Sequence, residues 1–207
     1  MQRAVVVAGG EISDYARIRK LICSDDYLIY CDSGLRHING LMKNPDLIIG
    51  DFDSHEKPTE TNCECIVLPC EKDDTDIFFA LKQAIERGYK SVLFLGCTGG
   101  RLDHTFANLS AMCYAYEHGV TPEMADDYSV YKMIAEKPLT IKNDECEYFS
   151  VIPIDGKLNN LTIIGAKYPL ENASVDMTYL YSVSNEVADE QCVVDTNGER
   201  ALIILDY

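Results

Sequence analysis

Basic residues are scarce in this chain. Its 207 residues include 18 Lys and Arg against 34 Asp and Glu, which gives a net charge of −16 at pH 7. Binding to the phosphates of DNA or RNA needs clustered Lys and Arg, and the sequence has no such cluster. The composition therefore argues against a nucleic-acid partner and predicts that a phosphorylated substrate is received through a bound cation. The acidity also keeps a protein soluble.

Long apolar runs are missing as well. No stretch approaches the roughly 20 residues of a membrane-spanning helix, and the N-terminus lacks the basic and apolar segments of a signal peptide. The nine cysteines are odd in number and irregular in spacing, and only Cys63 and Cys65 lie close together, which is a poor zinc motif. We therefore expect a cytoplasmic protein with structural thiols and no membrane contact.

Short apolar runs alternate with helical patterns in the first two thirds of the chain. Such runs are typical of strands buried on both faces, and the alternation predicts a parallel, Rossmann-like α/β sheet wound by helices. The predicted strands are Val5–Ala8, Tyr27–Tyr30, Leu47–Ile49, Ile66–Leu68 and Val92–Leu95.

Three helices are predicted, two between these strands and one after the last of them. The first follows Ser13 as its N-cap, and the second has an apolar stripe that ends at Gly88. The third follows Arg101 and ends at Gly119. Its predicted inward-facing residues are Leu102, Phe106, Leu109, Met112 and Tyr116.

The pattern changes near Lys137 and Pro138, after which strand-like segments dominate. Asn197-Gly198 is the preferred two-residue turn of a β-hairpin, and it lies between the predicted strands Cys192–Val194 and Ala201–Leu205. We therefore predict an α/β domain over residues 1–136 and a smaller, β-rich domain over residues 137–207. A domain of that size has a limited core, so it should pack against the first domain or a second subunit.

Polar clusters follow several of the predicted strands. In a parallel sheet the carboxyl ends of the strands meet at one crevice, where ligands bind. Asp51 and Asp53 directly follow Leu47–Gly50 and point the same way on an extended segment, as a Mg²⁺ site requires. The alternative is a solvated turn, in which Asp and Ser are also common.

A second acidic cluster opens the middle helix. Asp73, Asp74 and Asp76 would lie near the positive end of the helix, and Thr75 or Asp74 is the candidate cap. Three acids exceed what capping needs, so Asp76 is predicted to be functional. Lys72 beside them is a candidate contact for a phosphate oxygen.

The segment Thr98-Gly99-Gly100-Arg101 is predicted to be a strand-to-helix turn. Its glycines let backbone N–H groups approach a phosphate, and the forked guanidinium of Arg101 suits phosphoryl oxygens. It is not a Walker A loop, because the Lys-Ser/Thr pair is missing. Asp103 is either a metal ligand or a helix-start acid, and His104 is either a base or a capping residue.

Taken together, three motifs resemble the signature of the thiamine pyrophosphokinase family. The resemblance spans nearly the whole chain, since two segments of the C-terminal half are also similar to that family's β-sandwich domain. The three motifs are Gly50-Asp51-Phe52-Asp53-Ser54, Asp73-Asp74-Thr75-Asp76 and Gly99-Gly100-Arg101-Leu102-Asp103-His104, and the two segments are Lys167–Asn172 and Ser182–Glu186.

The resemblance implies an enzyme that transfers the pyrophosphoryl group of ATP to the hydroxyethyl oxygen of thiamine and releases AMP. The resemblance implies a homodimer that uses Mg²⁺ and binds thiamine near the interface through Ser184 and Asn185. It places Asp51, Asp53, Asp76 and Asp103 around the metal, and it assigns Arg101 and the turn Thr98-Gly99-Gly100 to ATP. Asp32, Lys72 and His104 are predicted as further ATP contacts and Asp76 as a further thiamine contact, and Mn²⁺ is the alternative metal.

The chain departs from the family pattern in two places. Phe78-Phe79 replaces a usual charged pair, and Cys31-Asp32-Ser33-Gly34 replaces a usual Ala-Asp-Gly-Gly, which affects the assignment of Asp32. Two other activities remain open from the residues: a diphosphokinase for another hydroxymethyl heterocycle such as a pterin, and a phosphohydrolase with Asp51 as nucleophile. A non-catalytic module that binds both ligands is a third possibility.

Overall fold

A computed structural model describes residues 3–51, 63–69, 71 and 73–207. Two of the predicted site residues, Asp53 and Lys72, lie outside this set. The chain forms two compact units, Met1–Asp127 and Tyr128–Tyr207. They divide earlier in the sequence than the predicted boundary between residues 136 and 137, which remains a prediction. Within the described ranges, no helix has the length and apolar character needed to cross a membrane.

The first unit contains a parallel sheet. Its strands are adjacent in the order β4-β3-β2-β1-β5-β6, and each neighbouring pair is parallel. The run Val5-Val6-Val7 is fully buried, as expected of a strand covered on both faces. The strands are β1 (Ala4–Val7), β2 (Tyr27–Cys31), β3 (Leu47–Gly50), β4 (Glu64–Val67), β5 (Ser91–Leu95) and β6 (Thr121–Ala125).

Helices connect these strands. The longest is α4, and α3 begins at Asp76 with the Thr75 hydroxyl as its cap, 3.2 Å from the Phe78 amide that donates to it. Gly88 follows α3 with a φ of +86°, which confirms the predicted glycine stop. The helices are α1 (Tyr15–Ile18), α2 (Ile38–Leu41), α3 (Asp76–Glu86) and α4 (Leu102–Glu117), with 3₁₀ helices at Arg19–Leu21 and Asp32–His37.

The cap of α1 is Asp14, so the prediction of Ser13 was wrong. The Asp14 carboxylate accepts a hydrogen bond of 2.9 Å from the Arg17 amide, whereas the Ser13 hydroxyl contacts Glu11 at 3.4 Å. Both residue types are good N-caps, and only the local backbone decides which one is used.

We expect Asp14→Ala to lower the free energy of unfolding by about 0.5–2 kcal/mol, the usual value of an N-cap. Chemical denaturation monitored by circular dichroism measures this loss. Ser13→Ala is the matched control and should leave stability within about 0.5 kcal/mol of the unchanged chain. Equal losses in the two variants would contradict the assignment of the cap.

The buried face of α4 also differs from the predicted one. Leu102 and Phe106 are exposed, with relative accessibilities of 68% and 62%. The buried residues are Asn108, Ala111, Met112 and Ala115, which follow the i, i+3, i+4, i+7 spacing of a helix face. Met112 is therefore confirmed, but the prediction of Leu102 and Phe106 was wrong because it followed large apolar side chains, while Asn108, Ala111 and Ala115 supply the rest of the buried face.

The second unit is a β-sandwich. In one layer β13 pairs antiparallel with β7 and β9, and in the other the order is β11-β10-β12-β8. One core, which includes Phe149 and Ile203 from the first layer and Leu161 and Val194 from the second, fills the space between them. The strands are β7 (Ser129–Ile134), β8 (Leu139–Lys142), β9 (Tyr148–Pro153), β10 (Lys157–Ile164), β11 (Leu170–Asp176), β12 (Gln191–Asp195) and β13 (Ala201–Asp206).

The turn at Asn197-Gly198 forms, but the hairpin does not. Both residues have positive φ, 51° and 88°, as predicted. However, β12 pairs with β10 and β8, while β13 pairs with β7 and β9. The turn therefore carries the chain from one layer of the sandwich to the other, because the apolar side chains of both strands are needed in the shared core.

Candidate active site

A cavity of about 430 Å³ lies at the carboxyl ends of β1, β2 and β5. Three loops line it, namely residues 8–10 after β1, residues 31–33 after β2 and residues 96–101 after β5, together with the first turns of α3 and α4. This is the edge at which parallel sheets bind ligands. Seven of the predicted site residues line this cavity: Asp32, Asp76, Thr98, Gly99, Gly100, Arg101 and His104.

Asp32 is held in an unusual state. Its backbone has a φ of 34°, which costs a residue with a side chain about 1–3 kcal/mol and is found mainly at functional sites. Its Oδ1 atom is buried and has no hydrogen-bond partner among the residues described. A buried carboxylate oxygen without a partner is costly, and a bound cation would satisfy it. The cavity therefore fits a divalent metal ion.

Asp76 brings a second carboxylate to the same cavity. It lies in the first turn of α3, where the helix dipole favours negative charge, and its main-chain oxygen is 3.7 Å from the Cys31 thiol. When Mg²⁺ also binds phosphate, it usually takes one carboxylate or a pair of carboxylates from the protein. Asp32 and Asp76 can thus supply that pair.

The glycine turn exposes its backbone to the cavity. Gly99 and Gly100 have φ values of +77° and +63°, which favour glycine. Apart from the adjacent residues of the turn, no described part of the chain comes within 4 Å of where a Cβ would be. The Thr98 hydroxyl donates a hydrogen bond of 2.8 Å to Asp126, which fixes the start of the turn. Open backbone next to a helix N-terminus is the arrangement that binds phosphate.

Arg101 and Asp103 are bonded to each other. Arg101 donates through both Nε and a terminal nitrogen to the two oxygens of Asp103, at 3.1 and 2.5 Å. The hydrogen bond from Arg101 lowers the pKa of Asp103, and the same bond raises the pKa of Arg101. Arg101 and His104 line the cavity, whereas the exposed Asp103 points to Arg101. A role for Asp103 as a metal ligand remains a prediction.

Asp51 follows β3 directly, at the carboxyl end of the strand beside β2. It is half-buried and is not one of the described residues that line the cavity. Its predicted partner Asp53 lies outside the described residues, as does Lys72. Their metal and phosphate roles therefore remain predictions.

In the second unit, the Asn185 side chain holds a neighbouring loop. It accepts hydrogen bonds from the amides of Tyr168 and Glu186 and donates to the Tyr168 carbonyl at 2.8 Å. Ser184 is exposed, has a φ of 53°, and donates its amide to the Ser150 hydroxyl. The predicted thiamine contacts of Ser184 and Asn185 remain predictions, and Ser184 is the one of the two that faces solvent.

Comparison with known proteins identifies the two units. A family model described as "Thiamin pyrophosphokinase, catalytic domain" matches residues 18–122, which is half of the chain. Another, described as "Thiamin pyrophosphokinase, vitamin B1 binding domain", matches residues 138–199. The chain belongs to the thiamin pyrophosphokinase family. The family and enzyme class predicted from the sequence are thereby confirmed.

Individual relatives agree with this family. The chain is 31% identical to a thiamine pyrophosphokinase of Bacillus subtilis over 144 residues, which cover 67% of each protein. It is 28% identical to thiamin pyrophosphokinase 1 of Caenorhabditis elegans over 164 residues, 74% of this chain and 67% of that one.

Solved thiamin pyrophosphokinase structures share the fold. The B. subtilis structure superposes with a TM-score of 0.87 at 24% identity and covers 100% of this chain and 99% of that chain. The structure of a family protein from Enterococcus faecalis gives a TM-score of 0.82 at 28% identity, with 99% of each chain covered. The predicted fold class, a parallel α/β unit followed by a β-sandwich, is confirmed.

Sequence reasoning missed several cavity residues of this thiamin pyrophosphokinase fold. Asn108 is buried in α4 and donates to the Cys97 carbonyl at 2.7 Å, so it fixes the loop after β5. Gly9, Gly10 and Ser33 also line the cavity. The position of Asn108, in phase with Ala111 and Ala115, was the signal that would have revealed it, and two glycines directly after β1 were another.

Proposed function

We propose that the chain is a divalent-metal-dependent thiamine pyrophosphokinase, which transfers the β,γ-pyrophosphoryl group of ATP to thiamine and releases AMP. Membership of the family supports this activity. The observation that carries the metal dependence is the buried Oδ1 atom of Asp32, which has no hydrogen-bond partner among the described residues and lies in a cavity that Asp76 also lines. With a net charge of −16, the chain needs such a cation to receive a polyphosphate.

Within the cavity, Asp32 and Asp76 would hold Mg²⁺, or Mn²⁺, and Asp51 and Asp53 are further candidates from the sequence. The bound ion supplies positive charge to the phosphate oxygens. The backbone of Gly99 and Gly100 would contact the phosphates. Arg101 would exchange Asp103 for a phosphoryl oxygen, and its planar fork suits two oxygens at once.

The reaction is an in-line displacement. The hydroxyl oxygen of thiamine attacks the β-phosphorus, the bond from that phosphorus to the α,β-bridging oxygen breaks, and AMP leaves with this oxygen. A carboxylate, Asp76 or Asp103, would take the hydroxyl proton. No covalent intermediate with the protein is needed, because positioning and charge neutralisation carry most of the catalysis in phosphoryl transfer.

Thiamine would be held by the second unit, near Ser184 and Asn185. We further propose that the active form is a homodimer with thiamine near the interface, and that the protein works in the cytoplasm. The first two statements rest on the resemblance described from the sequence, and the third on the apolar and cysteine patterns described there.

The proposed activity is tested with the purified protein, ATP, Mg²⁺ and thiamine. We expect AMP and thiamine pyrophosphate in equal amounts, measured by chromatography. EDTA should stop the reaction and an excess of Mg²⁺ should restore it. Formation of ADP and thiamine monophosphate would contradict the proposal, as would turnover of a hydroxymethyl pterin in place of thiamine. Release of phosphate without any alcohol would indicate a hydrolase instead.

A further inference from the structure

A buried histidine lies behind the cavity. His37, at the end of the 3₁₀ helix after β2, has only 2% of its surface exposed. Its Nε2 atom is 2.9 Å from the Gly10 carbonyl oxygen, and its Nδ1 atom is 2.8 Å from the Tyr15 hydroxyl. Gly10 lines the cavity, while His37 and Tyr15 do not. The histidine therefore joins the segment after β2 to the loop after β1.

The partners of His37 fix its tautomer. Nε2 faces both the Gly10 carbonyl, which only accepts, and Arg36 Nε, which only donates. Because the Gly10 contact is the shorter, at 2.9 Å against 3.4 Å, Nε2 carries the proton and makes no hydrogen bond with Arg36. Nδ1 then accepts from the Tyr15 hydroxyl, which can donate. Burial lowers the pKa of His37, and Arg36, 3.4 Å from Nε2, lowers it further, while the Gly10 carbonyl and Asp127 oppose this. The neutral ring with a proton on Nε2 is thus the form that holds Gly10.

The Gly10 peptide is held from both sides. Its N–H donates to the Gly96 carbonyl at 2.7 Å, and its C=O accepts from His37. A Cβ on Gly10 would lie 2.4 Å from the Gly96 oxygen, and one on Gly9 would lie 1.9 Å from the Ser33 hydroxyl oxygen. The loop after β1 therefore packs with its backbone directly against the loops after β5 and β2, and a small displacement of it would change the cavity wall.

Tyr15 is itself fixed in place. It is the first residue of α1, and the amides of Ser13 and Asp14 just before it donate to the Asp127 carboxylate at 2.7 and 2.9 Å. Its ring packs on Gly40, where a Cβ would lie 2.3 Å from the ring. The Tyr15 hydroxyl is therefore held where it meets His37.

We infer that Tyr15 and His37 are positioning residues for nucleotide binding, which hold the Gly9-Gly10 wall of the cavity through a hydrogen-bond chain from Tyr15 to His37 to the Gly10 carbonyl. The inference rests on the proposed function, because it requires that the cavity binds ATP. It goes beyond that function, because neither residue touches the cavity and both act on it through the backbone of Gly10.

The test measures the dissociation constant of Mg²⁺-ATP by calorimetry in the absence of thiamine, and that of thiamine separately. His37→Leu removes the donor to Gly10 and should weaken ATP binding about tenfold or more, since a buried carbonyl is left unpaired. Tyr15→Phe removes only one hydroxyl and should weaken it about threefold to tenfold. His37→Gln keeps an N–H donor for the Gly10 carbonyl, so its dissociation constant for Mg²⁺-ATP should stay within about threefold of that of the unchanged chain.

Tyr30→Phe is the matched control. Tyr30 is fully buried in β2 and its hydroxyl donates to the Lys43 carbonyl at 2.8 Å, so this variant loses the same kind of hydrogen bond away from the Gly9-Gly10 wall. We expect a lower melting temperature with unchanged ATP affinity. In all four variants thiamine affinity should stay constant.

The outcomes separate the two proposals. If the unchanged chain does not bind Mg²⁺-ATP, the proposed function fails and the inference fails with it. If the chain binds ATP but Tyr15→Phe and His37→Leu bind it equally well, only the inference is overturned. The inference is also overturned if Tyr30→Phe weakens ATP binding as much as they do, or if thiamine affinity falls in parallel. If His37→Leu does not fold, the comparison of the Mg²⁺-ATP dissociation constants of Tyr15→Phe and Tyr30→Phe decides.

Discussion

Asp76→Asn should reduce the turnover of ATP and thiamine by about two orders of magnitude or more, because a metal ion contributes several kcal/mol of charge stabilisation in the transition state. Asp76 lines the cavity beside Asp32 and lies at the positive end of α3. The amide keeps the size of the side chain, so the fold should persist with a stability loss of about 0.3–1 kcal/mol from the helix dipole.

Asp73→Asn is the control for this variant. Asp73 precedes the same helix but contributes to a different depression, beside Leu68 and Phe79. Steady-state rates at saturating ATP and thiamine compare the activities of the two variants, and a thermal melt of each compares their stabilities. If Asp76→Asn keeps more than a tenth of the rate, or if Asp73→Asn loses as much, then Asp76 is not the ligand proposed here.

Arg101→Ala should reduce turnover by about 10²- to 10³-fold, the usual effect of removing a donor that stabilises charge in a transition state. The melting temperature should not change, because the pair that Arg101 forms with Asp103 is largely exposed and such pairs contribute little to stability. Arg101→Lys keeps the charge but loses the planar fork, so we expect an intermediate rate.

Arg87→Ala serves as the charge-matched control for Arg101. Arg87 lies at the end of α3 and pairs with Glu64, so its loss lowers the positive charge of the chain equally without altering the cavity. A rate for Arg101→Ala within threefold of that for Arg87→Ala would contradict the phosphate role of Arg101. Measuring the rate of AMP release at several ATP concentrations separates an effect of the substitution on ATP binding from an effect on turnover.

Strong sequence patterns predicted the core of the fold. Val5-Val6-Val7 reads as a buried strand because each residue is apolar, and it is one. In contrast, β6 contains Pro122 and Glu123 and shows no apolar run, so nothing in its own residues predicted a strand. It is a strand because it pairs with β5, and such pairing outweighs local propensity.

The features of the candidate site also fall into those that the sequence predicted and those that it did not. The turn at Gly99-Gly100 and the acid at Asp76 were predicted to reach the cavity, since each lies at the start of a helix on the side of the sheet where the parallel strands end. The strained backbone of Asp32 and the contact between His37 and Gly10 were not, because both depend on how separate loops meet. A histidine in sequence does not reveal which carbonyl it faces.

The pairing of Arg101 with Asp103 has a consequence for product release. The two residues are two positions apart, so the Asp103 carboxylate stays close to the Arg101 guanidinium and competes with any ligand that binds there. When the ligand dissociates, the carboxylate binds the guanidinium again. A triphosphate would displace this carboxylate because it offers three phosphoryl groups to the turn and to Arg101, whereas a nucleoside monophosphate offers only one. If the enzyme works as proposed, the Asp103 carboxylate would therefore favour the dissociation of AMP. It would also re-form the ion pair with Arg101 before the next ATP binds.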